Sequence, residues 1–221
     1  MRSLTEGALA VKLQAQGIAD VDATTSIDDV IAAVESERPD IRAHAAPDGT
    51  VTILFSDIED STVLTERLGD ERWLELLRAH NTIFRRSLRA HDGYEVKNQG
   101  DGFMLVFPSP AAALRCAIEV QRALADHAEQ SPDEAIRVRM GLHTGKAIAE
   151  EGDFFGRNVV LAARIAAQAR GAEILVSEAL RDQTDGEDGL DFEAGRELEL
   201  KGMAGTHVVH RAGWETEAPA R

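Results

Sequence analysis

An α/β sandwich, a sheet covered by helices, is the fold this sequence predicts, and three features predict it. A compact apolar run, Val51-Thr52-Ile53-Leu54-Phe55, reads as a buried strand. Tyr94 to Asn98 and Phe103 to Phe107 read as two further strands, joined into a hairpin by the tight turn Gln99-Gly100-Asp101-Gly102. Around them apolar residues recur at helical spacing, at Trp73, Leu77, Phe84 and Leu88 and again from Pro110 to Ala128.

Taken in order, Leu4 to Gln16 and Ser26 to Glu37 each suit a short amphipathic helix, the second with Ser26 as N-cap and Asp28 and Asp29 in its first turn. Pro39 and Pro47-Asp48-Gly49 break the pattern and mark a linker. Residues 1–48 therefore read as a docking or regulatory extension, 49–212 as the main domain and 213–221 as a flexible tail. After the first strand, Ser61/Thr62 cap a helical region that runs toward Asp92-Gly93. The helix from Pro110 stops before Ser131-Pro132, and Ile136 to Ile148 gives one or two strands broken near Gly141 or Gly145. An acidic loop, Glu150 to Gly156, leads into a helix from about Arg157 to Ala169. A strand at Ile174 to Val176, a short helix, and strands near Glu197 to Leu200 and His207 to His210 complete the order. That order suits a ferredoxin-like sandwich with helices covering one sheet face.

With 221 residues, 43% of them hydrophobic, the chain can bury a sizeable core. A formal net charge of −15 argues against a nucleic-acid binder, which would need a basic face to neutralise phosphates. A bound polyphosphate would need locally placed Lys and Arg, helped by metal ions. Cys116 is the only cysteine, which excludes an intrachain disulfide and a cysteine-based zinc site; it falls on an apolar helix face and reads as core. No apolar run approaches the ~18 residues of a membrane span and no signal-peptide pattern opens the chain. The expectation is a soluble cytoplasmic protein.

Two segments carry chemistry. Phe55-Ser56-Asp57-Ile58-Glu59-Asp60-Ser61-Thr62 places acids where a buried strand ends and a helix begins, and Lys97-Asn98-Gln99-Gly100-Asp101-Gly102-Phe103 places one in a hairpin turn. A carboxylate at the end of a core strand is costly unless it is solvated, hydrogen-bonded or bound to a cation. Two on adjacent strand ends suit a pair of hard cations with oxygen ligands. Each also has a plain structural reading: Asp101-Gly102 is a common turn pair, and Asp57 can cap the following helix.

The stretch from Val51 to about His210 resembles the catalytic domain of class III nucleotide cyclases. Phe55-Ser56-Asp57-Ile58 with Ser61-Thr62 is similar to the family's first metal motif, and Lys97 with Gly100-Asp101-Gly102-Phe103 to its hairpin motif. Asp153-Phe154-Phe155-Gly156 followed by Ala162-Ala163-Arg164 is similar to its base- and phosphate-contacting loop and helix, and Leu200-Lys201-Gly202 to a late strand. The resemblance implies that fold, with a mostly antiparallel sheet, and conversion of ATP to 3′,5′-cyclic AMP and pyrophosphate. It implies Asp57 and Asp101 as ligands of two Mg²⁺ or Mn²⁺ ions per site, with the Ile58 carbonyl as a further ligand. Arg164 would meet charge growing at the α-phosphate, and Lys201 would hold the terminal phosphates. Lys97, a donor, and Asp153, an acceptor, complement adenine's N1 and N6 and mismatch guanine.

The family's ribose-orienting asparagine, four residues before the arginine, is Val160 here. Asn158 lies about 200° away round the helix and is no substitute, whereas Arg157 shares the face. In this family two domains share each site, so a chain with one copy of every element implies a homodimer. The runner-up is a catalytically weak or inactive nucleotide-binding pseudo-cyclase with a regulatory role, which Val160 favours. A diguanylate cyclase lacks its Gly-Gly-Asp/Glu-Glu-Phe signature here, and a guanylyl cyclase is disfavoured by Lys97 and Asp153. His80 and His143 have no partners at metal-ligand spacing and read as packing residues.

Overall fold

The computed structural model describes residues 44–146 and 154–215. The expected helices at 4–16 and 26–37, the acid Asp153 and the end of the expected tail lie outside the described residues. The elements are β1 (Thr50–Ile58), α1 (Ser61–Leu68), α2 (Asp70–Ala90), β2 (Tyr94–Gln99), β3 (Gly102–Phe107), α3 (Pro110–Gln130), β4 (Val138–Lys146), α4 (Phe154–Gln168), β5 (Ile174–Ser177), α5 (Glu178–Gln183), β6 (Arg196–Glu199) and β7 (Thr206–Arg211). Seven strands form one sheet in the order β2-β3-β1-β4-β5-β7-β6. All neighbours are antiparallel except β4 and β5.

The ends of the elements follow local chemistry. Ser109 accepts from the Ala112 amide at 3.3 Å, and Pro110 then opens α3. The helical region after β1 is two helices, parted at Gly69 with φ of 76°. Trp214, at the start of the expected tail, donates its indole N–H to the Ala172 carbonyl at 2.7 Å.

Two expectations are corrected. Helices cover both faces of the sheet, not one. Leu54 and Ile58 of β1 join Phe103, Leu105 and Phe107 of β3 in the core beneath α2 and α3. Val51, Ile53 and Phe55, with Met104 and Val106, pack on the other side against Val159, Ala162, Ala163 and Ala166 of α4. The physical reason is that β1 and β3 are buried at every position, so neither face can be left to water. Second, β4 is one unbroken strand through Gly141 and Gly145. Those glycines admit α4: a Cβ on Gly141 would lie 2.1 Å from the Ala166 nitrogen, and one on Gly145 2.6 Å from the Asn158 amide.

Candidate active site

Strand β1 delivers Asp57 to the site. Side chains alternate along a strand, so Asp57 lies on the face of Val51, Ile53 and Phe55, one step beyond the apolar run. It is only 2% exposed. Its cross-strand neighbour on β4 is Arg139, whose Nε donates to Asp57 Oδ2 at 2.9 Å, with a second bond from Nη2 to the same oxygen. Ser56 pairs with Phe103, which sets the β2–β3 turn, and Asp101 within it, beside the end of β1. Gly100 turns that corner with φ of 60°.

The two carboxylates sense each other. Burial, reinforced by the Asp57 charge, raises Asp101 to about 6, against the opposing pull of a Ser61 hydrogen bond and of Arg139. Asp101 Oδ2 is buried and has no hydrogen-bond partner among the described residues. A buried acceptor without a donor is costly, and a cation satisfies it. Ile58, the last residue of β1, is 2% exposed, with its side chain in the core shared with α2 and α3. Its main chain lies at the strand end next to Asp57.

The other expected residues sit on β2, on α4 and in the β6–β7 turn. Lys97 of β2 is directly opposite Met104, hence on the sheet face of Asp57, just after a register shift between Glu95 and Lys97. Val160 is half-buried and packs against the cluster beneath α4, with Arg164 one turn further along. Lys201 is exposed in the β6–β7 turn, lining a cavity of about 570 Å³ with Gln168 at the end of α4, Glu199 and Met203.

The expectation for Asn158 holds. Its Oδ1 lies 3.1 Å from His143 Nε2 and its amide donates to the Lys146 carbonyl at 2.9 Å, so it faces β4. His143 Nδ1 meets Ser177 Oγ at 2.9 Å, and burial lowers the imidazole to about 4. His80 is fully buried against Phe84 and Phe103 and is likewise lowered to about 4 by burial. Cys116 is buried, its thiol pushed up to about 12 by the same cause. All three are packing residues.

Arg139 and a bracket at the end of β1 escaped the sequence reading. Glu59 accepts from the Gly171 amide at 2.7 Å, and Arg137 donates to the Gly171 carbonyl at 2.8 Å. Glu59 and Arg137 also lie 3.5 Å apart as an ion pair. The bracket ties the end of β1 to the α4–β5 connection. Only strand register could have exposed Arg139, because an arginine opposite an acid across a sheet leaves no trace in linear spacing.

The family model for the adenylate and guanylate cyclase catalytic domain matches residues 43–211. The chain belongs to that family. A curated adenylate cyclase from Mycosarcoma maydis is 36% identical over 161 residues, which are 62% of this chain and 6% of that protein. The chain thus spans a small part of the curated relatives it matches. Among solved structures, the adenylyl cyclase CyaB from P. aeruginosa matches at a TM-score of 0.66 and 22% identity, over 76% of this chain and 95% of that one. The guanylate cyclase domain of RhGC from Catenaria anguillulae, in complex with GTP, matches at 0.63 and 20%, over 75% and 96%. These two likenesses establish the cyclase fold, and the fold alone does not choose the base. Among the described residues no helix is long and apolar enough to cross a membrane.

Proposed function

We propose that this cyclase domain converts ATP to 3′,5′-cyclic AMP and pyrophosphate at two equivalent sites in a homodimer. The observation that carries the reading is the pair of buried Asp57 and half-buried Asp101, with a buried, unsatisfied oxygen on Asp101. Such a pair fits divalent cations, Mg²⁺ or Mn²⁺, two per site, with the Ile58 carbonyl and substrate phosphates completing the oxygen shell. When bound, the ions lower the pKa of the ribose 3′-OH and neutralise phosphate charge.

The chain's own residues do the rest. Asp57 and Asp101, held by β1 and the hairpin turn, fix the place of cyclisation, and Asp57 or a water takes the 3′-OH proton. The O3′–P bond forms as the bond from the α-phosphorus to the bridging oxygen breaks, and pyrophosphate leaves. Arg164, contributed by the partner protomer, meets the charge that grows on the α-phosphate; losing such a donor costs ~3–4 kcal/mol of barrier. Lys201 holds the terminal phosphates as a point charge. Lys97 and Asp153 select adenine over guanine, the role of Asp153 resting on its motif alone. Val160 packs apolar surface where the family places a ribose-orienting amide, which favours modest turnover and supports a second reading, a regulatory pseudo-cyclase.

The test is incubation of purified protein with ATP and, separately, GTP, with Mg²⁺ or Mn²⁺, and quantification of the cyclic nucleotide. Cyclic AMP should dominate; no product with either nucleotide selects the pseudo-cyclase reading, and dominant cyclic GMP refutes the base assignment. Asp57→Ala and Arg164→Ala should each be inactive, while an equal mixture regains about one quarter of wild-type activity, since half the dimers are mixed and each rebuilds one of two sites. No recovery despite demonstrated subunit exchange rejects the shared site.

A further inference from the structure

Arg139 stands in an unusual position. Its strand neighbours Val138 and Met140 are fully buried, yet it carries a charge, and its side chain is 19% exposed where that of Asp57 is 3% exposed. Two of its N–H groups converge on one oxygen of Asp57. A carboxylate oxygen has about two lone-pair sites, so this oxygen is fully engaged. A divalent cation binding there sits about 2.0–2.6 Å from the ligand oxygen, in the space the guanidinium hydrogens fill. Two positive groups cannot share that oxygen in a poorly solvated pocket.

We infer that Arg139 is the resident counter-ion of the carboxylate pair and competes with the divalent cation for Asp57. The inference rests on the metal reading of Asp57 and Asp101 proposed above. Entry of the cation exchanges one positive partner of Asp57 for another, and the partial exposure of Arg139 gives its guanidinium a way out toward solvent. The acids are therefore never left together without a positive neighbour, and the protein alone holds a free divalent cation weakly. A purely structural ion pair would behave differently: its loss would weaken the fold and give the cation no advantage.

The experiment uses Mn²⁺ alone, without nucleotide, at fixed mildly alkaline pH. Free Mn²⁺ is followed by electron paramagnetic resonance for wild type, Arg139→Gln and Arg139→Met, each also combined with Asp57→Asn to subtract uptake by the acidic surface. Asp57-dependent Mn²⁺ binding should be tighter in both Arg139 variants by on the order of tenfold, the scale on which one neighbouring charge alters a carboxylate's affinity for a proton. Mn²⁺ should also raise the melting temperature of both variants more than that of wild type. Equal or weaker Asp57-dependent binding in the variants overturns the competition while leaving the metal site standing. Absence of Asp57-dependent binding in every protein overturns both. A variant that folds poorly is decided by the melting series, where a Mn²⁺ gain no larger than in wild type counts against the inference.

Discussion

A single methyl group on Gly141 should separate helix α4 from the sheet. The added Cβ would lie 2.1 Å from the Ala166 nitrogen and 2.4 Å from its Cα, whereas ordinary contact begins at 3.4 Å. The obstacle is backbone on both sides, so no rotamer change relieves it; α4 must lift by about 1 Å or β4 must bend. Overpacking of this kind costs 1–3 kcal/mol when side chains yield, and against two backbones we expect ~3 kcal/mol for Gly141→Ala. Arg164 rides on the same helix two residues away, and a displacement near 1 Å can cost on the order of 10²-fold in rate. Urea unfolding gives the first quantity and cyclic AMP turnover the second. Ala166→Gly added to Gly141→Ala should restore neither, because the nitrogen and Cα remain in the way. A Gly141→Ala protein within ~0.5 kcal/mol of wild type and fully active would refute the close approach of α4 to β4.

Two further substitutions test the site's electrostatics. Asp101 is raised from 3.8 to about 6, so the folded metal-free chain binds its proton more tightly than the unfolded chain, and stability falls as pH rises through that window. Asp101→Asn removes that cost: at neutral pH without metal it should be more stable than wild type by about 1–3 kcal/mol, yet inactive, and a less stable variant in denaturant melts would refute this. His80 is lowered from 6.5 to about 4, so its contribution is complete above the upper value and is lost as pH falls toward the lower one. His80→Leu should shrink the stability difference between neutral pH and about pH 4.5 by ~2–3 kcal/mol, with an unchanged acid limb as the refuting result.

Much of this fold was legible because local signals were strong. The hairpin was visible since a Gly-Asp-Gly turn divides an alternating segment, Tyr94 to Asn98, from an apolar run, Phe103 to Phe107, and the structure moves one end of each strand by a single residue. Face assignment was not legible: α4 meets the sheet through Ala162, Ala163 and Ala166, whose apolar stripe identifies a buried side without saying which sheet face it covers. The glycines of β4 looked like breaks because a sequence shows a missing side chain but not the helix that fills its place. At the candidate site, Asp57 and Asp101 stand out through their motifs, and the structure adds that Asp57 is buried and that its charge acts on half-buried Asp101. Arg139 depended on pairing across 82 residues of chain, which no window along the sequence reports.

The Glu59–Arg137–Gly171 bracket has a mechanical meaning in the proposed homodimer. Each subunit lends acids to one reaction chamber and an arginine to the other, and the bracket clamps the mountings of both together. A push applied to one subunit therefore turns both chambers at once, so graded control would come from rotating whole subunits rather than from adjusting either chamber separately.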